Sequence, residues 1–205
     1  MSDNWYERQV LPYLIHVVCG TGTFRYQRRQ VVPAAVGEVL EIGLGTGLNL
    51  PFYDPGKVSR ILGLEPSLIS HHLADSRIQA SPIPVELIAL SAESIPLPDQ
   101  SVDTVVCTYT LCTIPDPVAA LHEMKRVLKP EGKLLFAEHG KAPQAEVFGW
   151  QNRLQPVWGK LAGGCHLNRD IPELFRQAGF HSTLQQGYVK GPKVFSYQYW
   201  GEAKP

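Results

Sequence analysis

The sequence predicts an α/β fold in which helices cover both faces of a mostly parallel sheet. Three observations support this prediction. An apolar run opens directly into a glycine-rich turn at residues 43–47, further apolar runs of strand length follow at intervals, and a segment with helical periodicity separates two of them. Parallel neighbours in a sheet need such crossover segments, because a short turn cannot return the chain to the same edge.

The first predicted strand and the turn after it form the most informative segment, VLEIGLGTG at residues 39–47. Its apolar residues suit a strand buried in a parallel sheet. Gly43, Gly45 and Gly47 let the backbone turn tightly and approach a ligand where a Cβ atom would collide. Glu41 lies near the carboxyl end of the strand, and ligands bind at this edge of open α/β sheets. The segment therefore predicts a βα unit that binds a nucleoside.

The spacing of the glycines narrows the choice of ligand. A dinucleotide fingerprint reads G-x-G-x-x-G, and its last glycine packs a helix against the strand. This turn reads G-x-G-x-G, with Leu48 where the fingerprint has glycine or alanine. Glu65 follows the second predicted strand, residues 59–64, in the interval of about 20 residues where an acid reaches the hydroxyls of a ribose. Its alternative role is a solvated acid at a strand end or a helix cap.

Five further strands complete the predicted sheet, and the last two form an antiparallel hairpin at its edge. They are residues 85–90, 102–107, 133–137, 182–187 and 194–200. A helix begins at Pro117 with Asp116 as its cap and is stopped by residues 129–132, and another begins at Asp170 and closes at Gly179. Before the sheet, residues 5–29 can form one or two helices. Their apolar side is predicted at Tyr13, Leu14, Val17 and Val18.

Residues 36–140 resemble the core of the class I S-adenosylmethionine (SAM) methyltransferases. The glycine turn, Glu65, the segment SAESIPLPDQSVD at 91–103 and the segment RVLKPEGKLLFAEH at 126–139 occur in order and at family spacing. The resemblance implies a Rossmann-like sheet of seven strands with N-terminal lid helices, SAM as the cofactor and S-adenosylhomocysteine as the product. The residues that it assigns to the cofactor are Glu41, Gly43, Gly45, Gly47, Asn49, Glu65, Pro66, Ala92, Glu93 and Thr108. One departure is Ser91, where the family often has an aspartate that accepts from adenine.

Several segments are similar to one subfamily, the membrane-associated animal thiol S-methyltransferases and their bacterial relatives. They are CTYTLCTIPDP at 107–117, FAEHGKAP at 136–143, the tryptophan-containing run at 150–158 and GGCHLNR at 163–169. This similarity implies methyl transfer to a small-molecule thiol. The long hydrophobic N-terminal anchor of the animal members is absent, and the apolar run 11–18 is short of the about 20 residues that span a bilayer. A cytoplasmic protein without stable membrane insertion is therefore expected.

The implied reaction is an in-line displacement, for which alignment alone supplies about 7–11 kcal/mol. His139, at the end of the fifth strand, is the candidate general base, and a structural hydrogen bond is its alternative. The candidate acceptor pocket consists of Cys112, Trp150, Trp158, Cys165 and Arg169. The tryptophans could equally pack the insertion onto the sheet, and the arginine could form a surface salt bridge.

Composition limits the number of domains and the kinds of partner. The chain has 205 residues, enough for one sizeable core, and we expect a single domain with a lid at 1–35, a cofactor core at 36–140 and a substrate-side insertion with the last strands at 141–205. Nineteen basic and nineteen acidic residues cancel, so nucleic acid is not an expected partner. The arginines at 25, 28 and 29 form either a local basic patch or, more often, a solvated helix face. A monomer or homodimer is expected.

The four cysteines are scattered, and their spacing matches neither a C-x-x-C pair nor a zinc motif. Free thiols and no metal site are therefore expected. Two other functions stay open at this stage. One is an N-methyltransferase that acts on phosphatidylethanolamine or a small natural product, and the other is a SAM-binding sensor or scaffold without catalysis.

Overall fold

The computed structural model describes residues 5–205, except the side chains of Glu7 and Arg8. Within this range one sheet of seven strands has the order β3-β2-β1-β4-β5-β7-β6, which confirms the predicted Rossmann-like architecture. The strands are β1 (Gly37–Ile42), β2 (Val58–Leu64), β3 (Val85–Ile88), β4 (Val102–Thr108), β5 (Leu128–His139), β6 (His181–Tyr188) and β7 (Tyr197–Lys204). The first five are parallel, and β7 runs antiparallel to both β5 and β6.

Strand order reverses at β1, which lies between β2 and β4. The chain first runs outward from β1 to β3 and then crosses back to β4. Leu40 in the middle of β1 pairs with Leu62 of β2 and with Val105 of β4, and all three are buried. A crevice opens at such a switch point beyond the carboxyl ends of the strands, because the flanking connections leave on opposite faces.

Helices cover both faces of the sheet. They are α1 (Trp5–Gln9), α2 (Leu11–Cys19), α3 (Gly22–Val31), α4 (Leu68–Gln79), α5 (Pro117–Val127), α6 (Ala145–Leu161), α7 (Ile171–Gln177) and α8 (Lys193–Ser196). Side chains of α5 and α7 belong to the larger core, in which the rings of Phe136 and Phe175 are 4.5 Å apart. Side chains of α3 and α4 belong to the smaller core on the other face. None of the helices described here combines the length and apolar character needed to cross a membrane.

Two predicted helix starts are confirmed by their caps. The Asp116 carboxylate accepts from the Ala119 N–H at 3.0 Å, and Asp170 accepts from the Glu173 N–H at 3.3 Å. Each cap is followed by a proline in the first turn, where the missing N–H is not needed.

Several boundaries differ from the prediction. The βα unit does not continue into an α-helix directly after the glycine turn: the glycines adopt left-handed φ angles, and only a 3-10 turn follows at Leu50–Phe52. Helix α5 ends at Val127, directly before the predicted stop at 129–132, but β5 begins at Leu128 rather than at Lys133. The last strand begins at Tyr197 after the short helix α8.

The N-terminal helices also depart from the predicted pattern. Tyr13, Leu14, Val17 and Val18, the predicted apolar side, are between 45% and 67% exposed. Leu11 is buried instead, and the space beside Gly163 is filled by its side chain. The predicted helix is present, but α2 packs on the rest of the fold with the side that carries Leu11.

Candidate active site

A cavity of about 380 Å³ lies at the carboxyl ends of β1, β2 and β4. Eight of the ten predicted cofactor residues line it: Glu41, Gly43, Gly45, Asn49, Glu65, Pro66, Ala92 and Thr108. The other two do not. A Cβ on Gly47 would meet Leu50 and Ala74 in the fold, and the Glu93 carboxylate accepts from the Asp116 N–H at 2.8 Å and from the Ser91 hydroxyl. Both residues shape loops rather than the cavity wall.

The glycine turn leaves free space beside one of its residues. Gly43 and Gly45 have φ angles of +66° and +56°, a region that residues with a Cβ rarely adopt. A Cβ on Gly43 would lie 2.3 Å from Thr110 Oγ1, whereas a Cβ on Gly45 would meet nothing closer than the Gly43 carbonyl at 3.7 Å. Gly45 also lines the cavity. The turn thus presents bare backbone to a ligand at this point.

Glu65 is fixed at the end of β2 by the loops on either side. One carboxylate oxygen accepts from the Gly45 N–H at 3.0 Å, and the other accepts from the Ser67 N–H at 2.8 Å. Burial raises the pKa of this carboxyl, and the two N–H donors partly offset that effect. Each oxygen keeps a second lone pair, so the carboxylate can still accept from both hydroxyls of a ribose.

Glu41 is buried at the base of the cavity and is held by two neutral donors. Its oxygens accept from Asn49 Nδ2 at 2.9 Å and from the Tyr53 hydroxyl at 2.8 Å. Burial raises the pKa of Glu41 to about 7, although both hydrogen bonds act in the opposite direction. A cation placed near such a carboxyl stabilises its ionised form and lowers the raised pKa.

Asn49 supplies a free acceptor on the same wall. Its amide nitrogen donates to Glu41 and, at 3.0 Å, to Thr108 Oγ1, so its orientation is set. Its Oδ1 is buried and has no hydrogen-bond partner. An unpaired buried acceptor costs roughly 1–3 kcal/mol unless a ligand donor satisfies it. A ligand ammonium group fits this acceptor and the neighbouring Glu41.

Arg28 is a cavity residue that the sequence does not reveal. The sequence grouped it with Arg25 and Arg29 as a local basic patch or, more often, a solvated helix face, but its side chain is only 5% exposed and lines the cavity. Its Nη1 donates to the Cys19 carbonyl at 2.6 Å, its guanidinium lies 5.2 Å from the Tyr109 ring centre, and its Nε has no partner. A buried N–H donor with positive charge is suited to a ligand carboxylate.

Helix α2 closes the cavity from above. Leu11, Pro12 and Ile15 line it, and His16 Nδ1 lies 2.7 Å from Thr46 Oγ1 in the glycine turn. The opposite wall includes Tyr109, a non-glycine residue with φ of +56° whose hydroxyl donates to Gln198. Such backbone strain costs about 1–3 kcal/mol and is concentrated at functional sites.

The predicted acceptor residues do not line this cavity, but most of them lie together beside it. His139 Nε2 is 3.0 Å from Cys165 Sγ, and Cys165 Sγ is 3.8 Å from Cys112 Sγ. Trp158 Nε1 donates to Cys165 Sγ at 3.3 Å, and Arg169 donates to the Leu111 carbonyl. The cluster adjoins the cavity wall, because Thr113 lines the cavity and its hydroxyl oxygen lies 3.6 Å from Cys112 Sγ.

Trp150 is the exception among these residues. Its side chain is 48% exposed, and its ring lies 5.1 Å from the guanidinium of Arg153 on the same helix. Eight residues along α6, Trp158 packs instead against Phe195 with ring centres 4.8 Å apart. Trp150 therefore does not contribute to a pocket in this conformation.

Glu138 is a second buried acid that the sequence analysis assigned no role. Its carboxylate accepts from the backbone N–H groups of Thr110, Leu111 and Cys112 at 2.8, 2.9 and 3.3 Å. Burial is the main cause that raises its pKa to about 8. This network fixes the loop after β4 against the end of β5. The sequence signal for Glu138 is its position directly before His139, the candidate catalytic residue.

The fold and the cavity define a class I SAM-dependent methyltransferase, and sequence comparison agrees. Residues 40–136 match the family described as a methyltransferase domain, and the chain belongs to this class. A SAM-dependent methyltransferase of Thermotoga maritima, titled a possible histamine N-methyltransferase, superposes with a TM-score of 0.68 over 97% of both chains. At 22% identity this likeness supports the fold alone.

Two curated relatives narrow the comparison. Thiol S-methyltransferase TMT1B of Rattus norvegicus is 37% identical over 145 residues, which are 69% of this chain and 59% of the relative. Phosphatidylethanolamine N-methyltransferase of Cereibacter sphaeroides is 36% identical over 124 residues, which are 57% of this chain and 59% of the relative. The matched region thus spans about three fifths of the length of each relative.

Proposed function

We propose that this protein transfers the methyl group of SAM to the sulfur of a small-molecule thiol. The assignment of SAM as the cofactor rests on the cavity, in which an open glycine turn, the buried Glu41, the partly buried Glu65 and the unpaired amide oxygen of Asn49 converge. The assignment of a thiol as the methyl acceptor is supported by the similarity to TMT1B. Because the matched region covers only part of that relative, the acceptor needs its own test.

Five of the groups that line the cavity have a role in this proposal. Glu65 accepts from the ribose hydroxyls, and Asn49 Oδ1 with Glu41 accepts the ammonium group. The Nε of Arg28 donates to the carboxylate, and the backbone near Ala92 contacts the adenine. SAM supplies an electrophilic methyl group on a positively charged sulfur. The chain's contribution is to fix this group and to exclude water by means of α2.

Methyl transfer to a thiol does not need a strong base in the protein. A thiol with an ordinary pKa near 8.5 is already a few per cent thiolate at neutral pH. His139 does not line the cavity, and its Nε2 is in contact with Cys165 Sγ. General-base catalysis by His139 is therefore not part of this proposal.

The test is transfer of a labelled methyl group from SAM to a panel of acceptors. The panel contains hydrogen sulfide, aliphatic and aromatic thiols, ethanolamine lipids and catechols. We expect products from thiols alone, at a rate that rises with pH as the thiolate accumulates. Transfer to amines or oxygens instead would refute the thiol acceptor and leave the cofactor assignment standing.

A second candidate is N-methylation of an ethanolamine lipid, which the similarity to the Cereibacter sphaeroides enzyme favours. Products from the lipid arm of the same panel would support it. A sensor or scaffold is the third candidate. It predicts tight SAM binding without turnover on any acceptor in the panel.

Replacing Arg28 with methionine is expected to weaken binding of S-adenosylhomocysteine by roughly 10–100-fold, because a charged hydrogen bond contributes about 1.5–3 kcal/mol. Binding of methylthioadenosine, which has no carboxylate, should stay within about twofold of wild type. Isothermal calorimetry with both ligands measures the difference. Arg25→Met is the matched control, because Arg25 is exposed on the same helix and does not line the cavity. Equal losses for both ligands would contradict the carboxylate assignment.

A further inference from the structure

Two thiols and an imidazole meet beside the cofactor cavity. Cys112 follows β4, His139 ends β5 and Cys165 follows α6, and their Sγ and ring nitrogen atoms all lie within 4.8 Å of one another. The two cysteines are 53 positions apart in the sequence. The expectation of no metal site rested on the short ligand spacings of known motifs. Ligands this far apart in the sequence fall outside that expectation.

The separation of the two sulfurs is informative. Cys112 Sγ and Cys165 Sγ are 3.8 Å apart. Two thiolates bound to one tetrahedral zinc ion with Zn–S bonds of about 2.3 Å are separated by about 3.8 Å. A disulfide would instead require about 2.05 Å. The two sulfurs are therefore in van der Waals contact, and one ion can bind both without a change in their separation.

The ligand types are those of a soft or borderline cation. Sulfur and imidazole nitrogen favour zinc, whereas Ca²⁺ and Mg²⁺ require oxygen ligands. His139 Nε2 already lies 3.0 Å from Cys165 Sγ. Two thiolates would also neutralise a divalent cation, so the burial of both sulfurs does not leave a net charge unpaired.

Surrounding groups hold the ligands in place. Glu138 binds the backbone N–H of Cys112, and the Cys112 carbonyl accepts from the His166 N–H at 2.9 Å. The Cys165 carbonyl accepts from Gln155 Nε2 at 2.9 Å. Metal sites depend on such outer contacts, because these contacts orient the ligands before the ion binds.

We propose that Cys112, His139 and Cys165 bind one zinc ion through their two Sγ atoms and the His139 Nε2. Three protein ligands leave one position of a tetrahedral site free, as in catalytic zinc centres. On the proposed thiol-methylating function, the acceptor is the fourth ligand. Cys112 and Cys165 each release a thiol proton to solvent when they bind the ion as thiolates, and the acceptor thiol releases its proton in the same way when its sulfur takes the fourth position.

Metal content tests the site without any assay of activity. Wild type is loaded with zinc under reducing conditions, desalted and analysed by elemental mass spectrometry. We expect roughly one zinc ion per chain, with loss of most of it in Cys112→Ser and Cys165→Ser. Cys19→Ser is the matched control, because Cys19 lies outside the cluster, and it should retain the ion. Equal zinc content in all four proteins, or no zinc in wild type, would overturn the proposal.

Cobalt provides a second measurement on folded wild-type protein. Titration with Co²⁺ should produce a thiolate-to-cobalt charge-transfer absorption that saturates at one equivalent, while circular dichroism stays unchanged. No such absorption would overturn the site even if the serine variants fail to fold. If Cys112 and Cys165 are found as a disulfide, the protein is reduced before the titration. Absence of the cobalt absorption from the reduced protein would also overturn the site.

An experiment with an added thiol distinguishes failure of the zinc site from failure of the proposed methyl transfer. Benzyl mercaptan is added to the cobalt-loaded protein in the absence of SAM, and we expect the charge-transfer absorption to increase as a third sulfur binds. No change would overturn the role of the acceptor as fourth ligand. Because this experiment contains no cofactor, its outcome is independent of methyl transfer in the acceptor panel.

Discussion

Replacing Gly45 with valine is expected to abolish SAM binding, with a loss of affinity of at least about 100-fold. The space beside Gly45 is open cavity, and a Cβ there would meet no other atom closer than 3.7 Å. The valine methyl groups would therefore occupy volume that the ligand needs. Isothermal calorimetry with SAM and with S-adenosylhomocysteine measures the effect.

The same substitution also strains the backbone, so stability must be measured in parallel. Gly45 has a left-handed φ of +56°, which costs an L-residue about 1–2 kcal/mol. We expect the thermal midpoint to fall by a few degrees while the fold is retained. Gly179→Val is the matched control, because Gly179 also has a left-handed φ, +72°, and does not line the cavity. Unchanged affinity in folded Gly45→Val would overturn the cofactor assignment.

The glycine turn shows why the cofactor half of the site was predictable. Its features are local: glycine spacing, an acid in the preceding strand, and Glu65 at a fixed interval. The sheet brings such segments to one edge whenever the strand order reverses there. Gly47 and Glu93 were assigned by the same motifs, but motif position does not reveal which way a loop residue points.

The other half of the site depends on contacts between distant parts of the chain. Arg28 reaches the cavity only because α3 packs beside the end of β4, and no local pattern separates it from Arg25. Trp150 and Trp158 lie on one helix, but eight residues at 3.6 per turn place them about 80° apart. One of them therefore contacts the sulfur cluster while the other is half exposed.

Element boundaries were the least predictable part of the fold. The segment at 129–132 has the residues of a helix stop, yet Leu128 already pairs with Val102 of β4. A register shift between Val102 and Thr104 accommodates the difference. The end of α5 at Val127 agrees with this stop, and tertiary pairing rather than residue type sets where β5 begins.

Glu41 is expected to make the protein less stable as the pH rises from about 4.5 to about 7. Burial raises its pKa in the folded protein to about 7, while the ordinary value is 4.5. Below pH 4.5 both states hold the proton and no penalty arises. Between the two values the unfolded chain releases the proton and the folded protein keeps it, so the free energy of unfolding falls by about 3 kcal/mol in total.

The variant Glu41→Gln isolates this effect, because its side chain does not titrate. The difference in free energy of unfolding between wild type and variant should change with pH in that window and become constant above it. Saturating SAM should reduce the wild-type penalty, because a cationic ligand favours the carboxylate form of Glu41. A difference that stays constant from pH 4 to pH 8 would show that Glu41 ionises in the folded protein as it does in the unfolded chain, and would contradict its raised pKa. A wild-type penalty that saturating SAM leaves unchanged would contradict the assignment of Glu41 to the ammonium group.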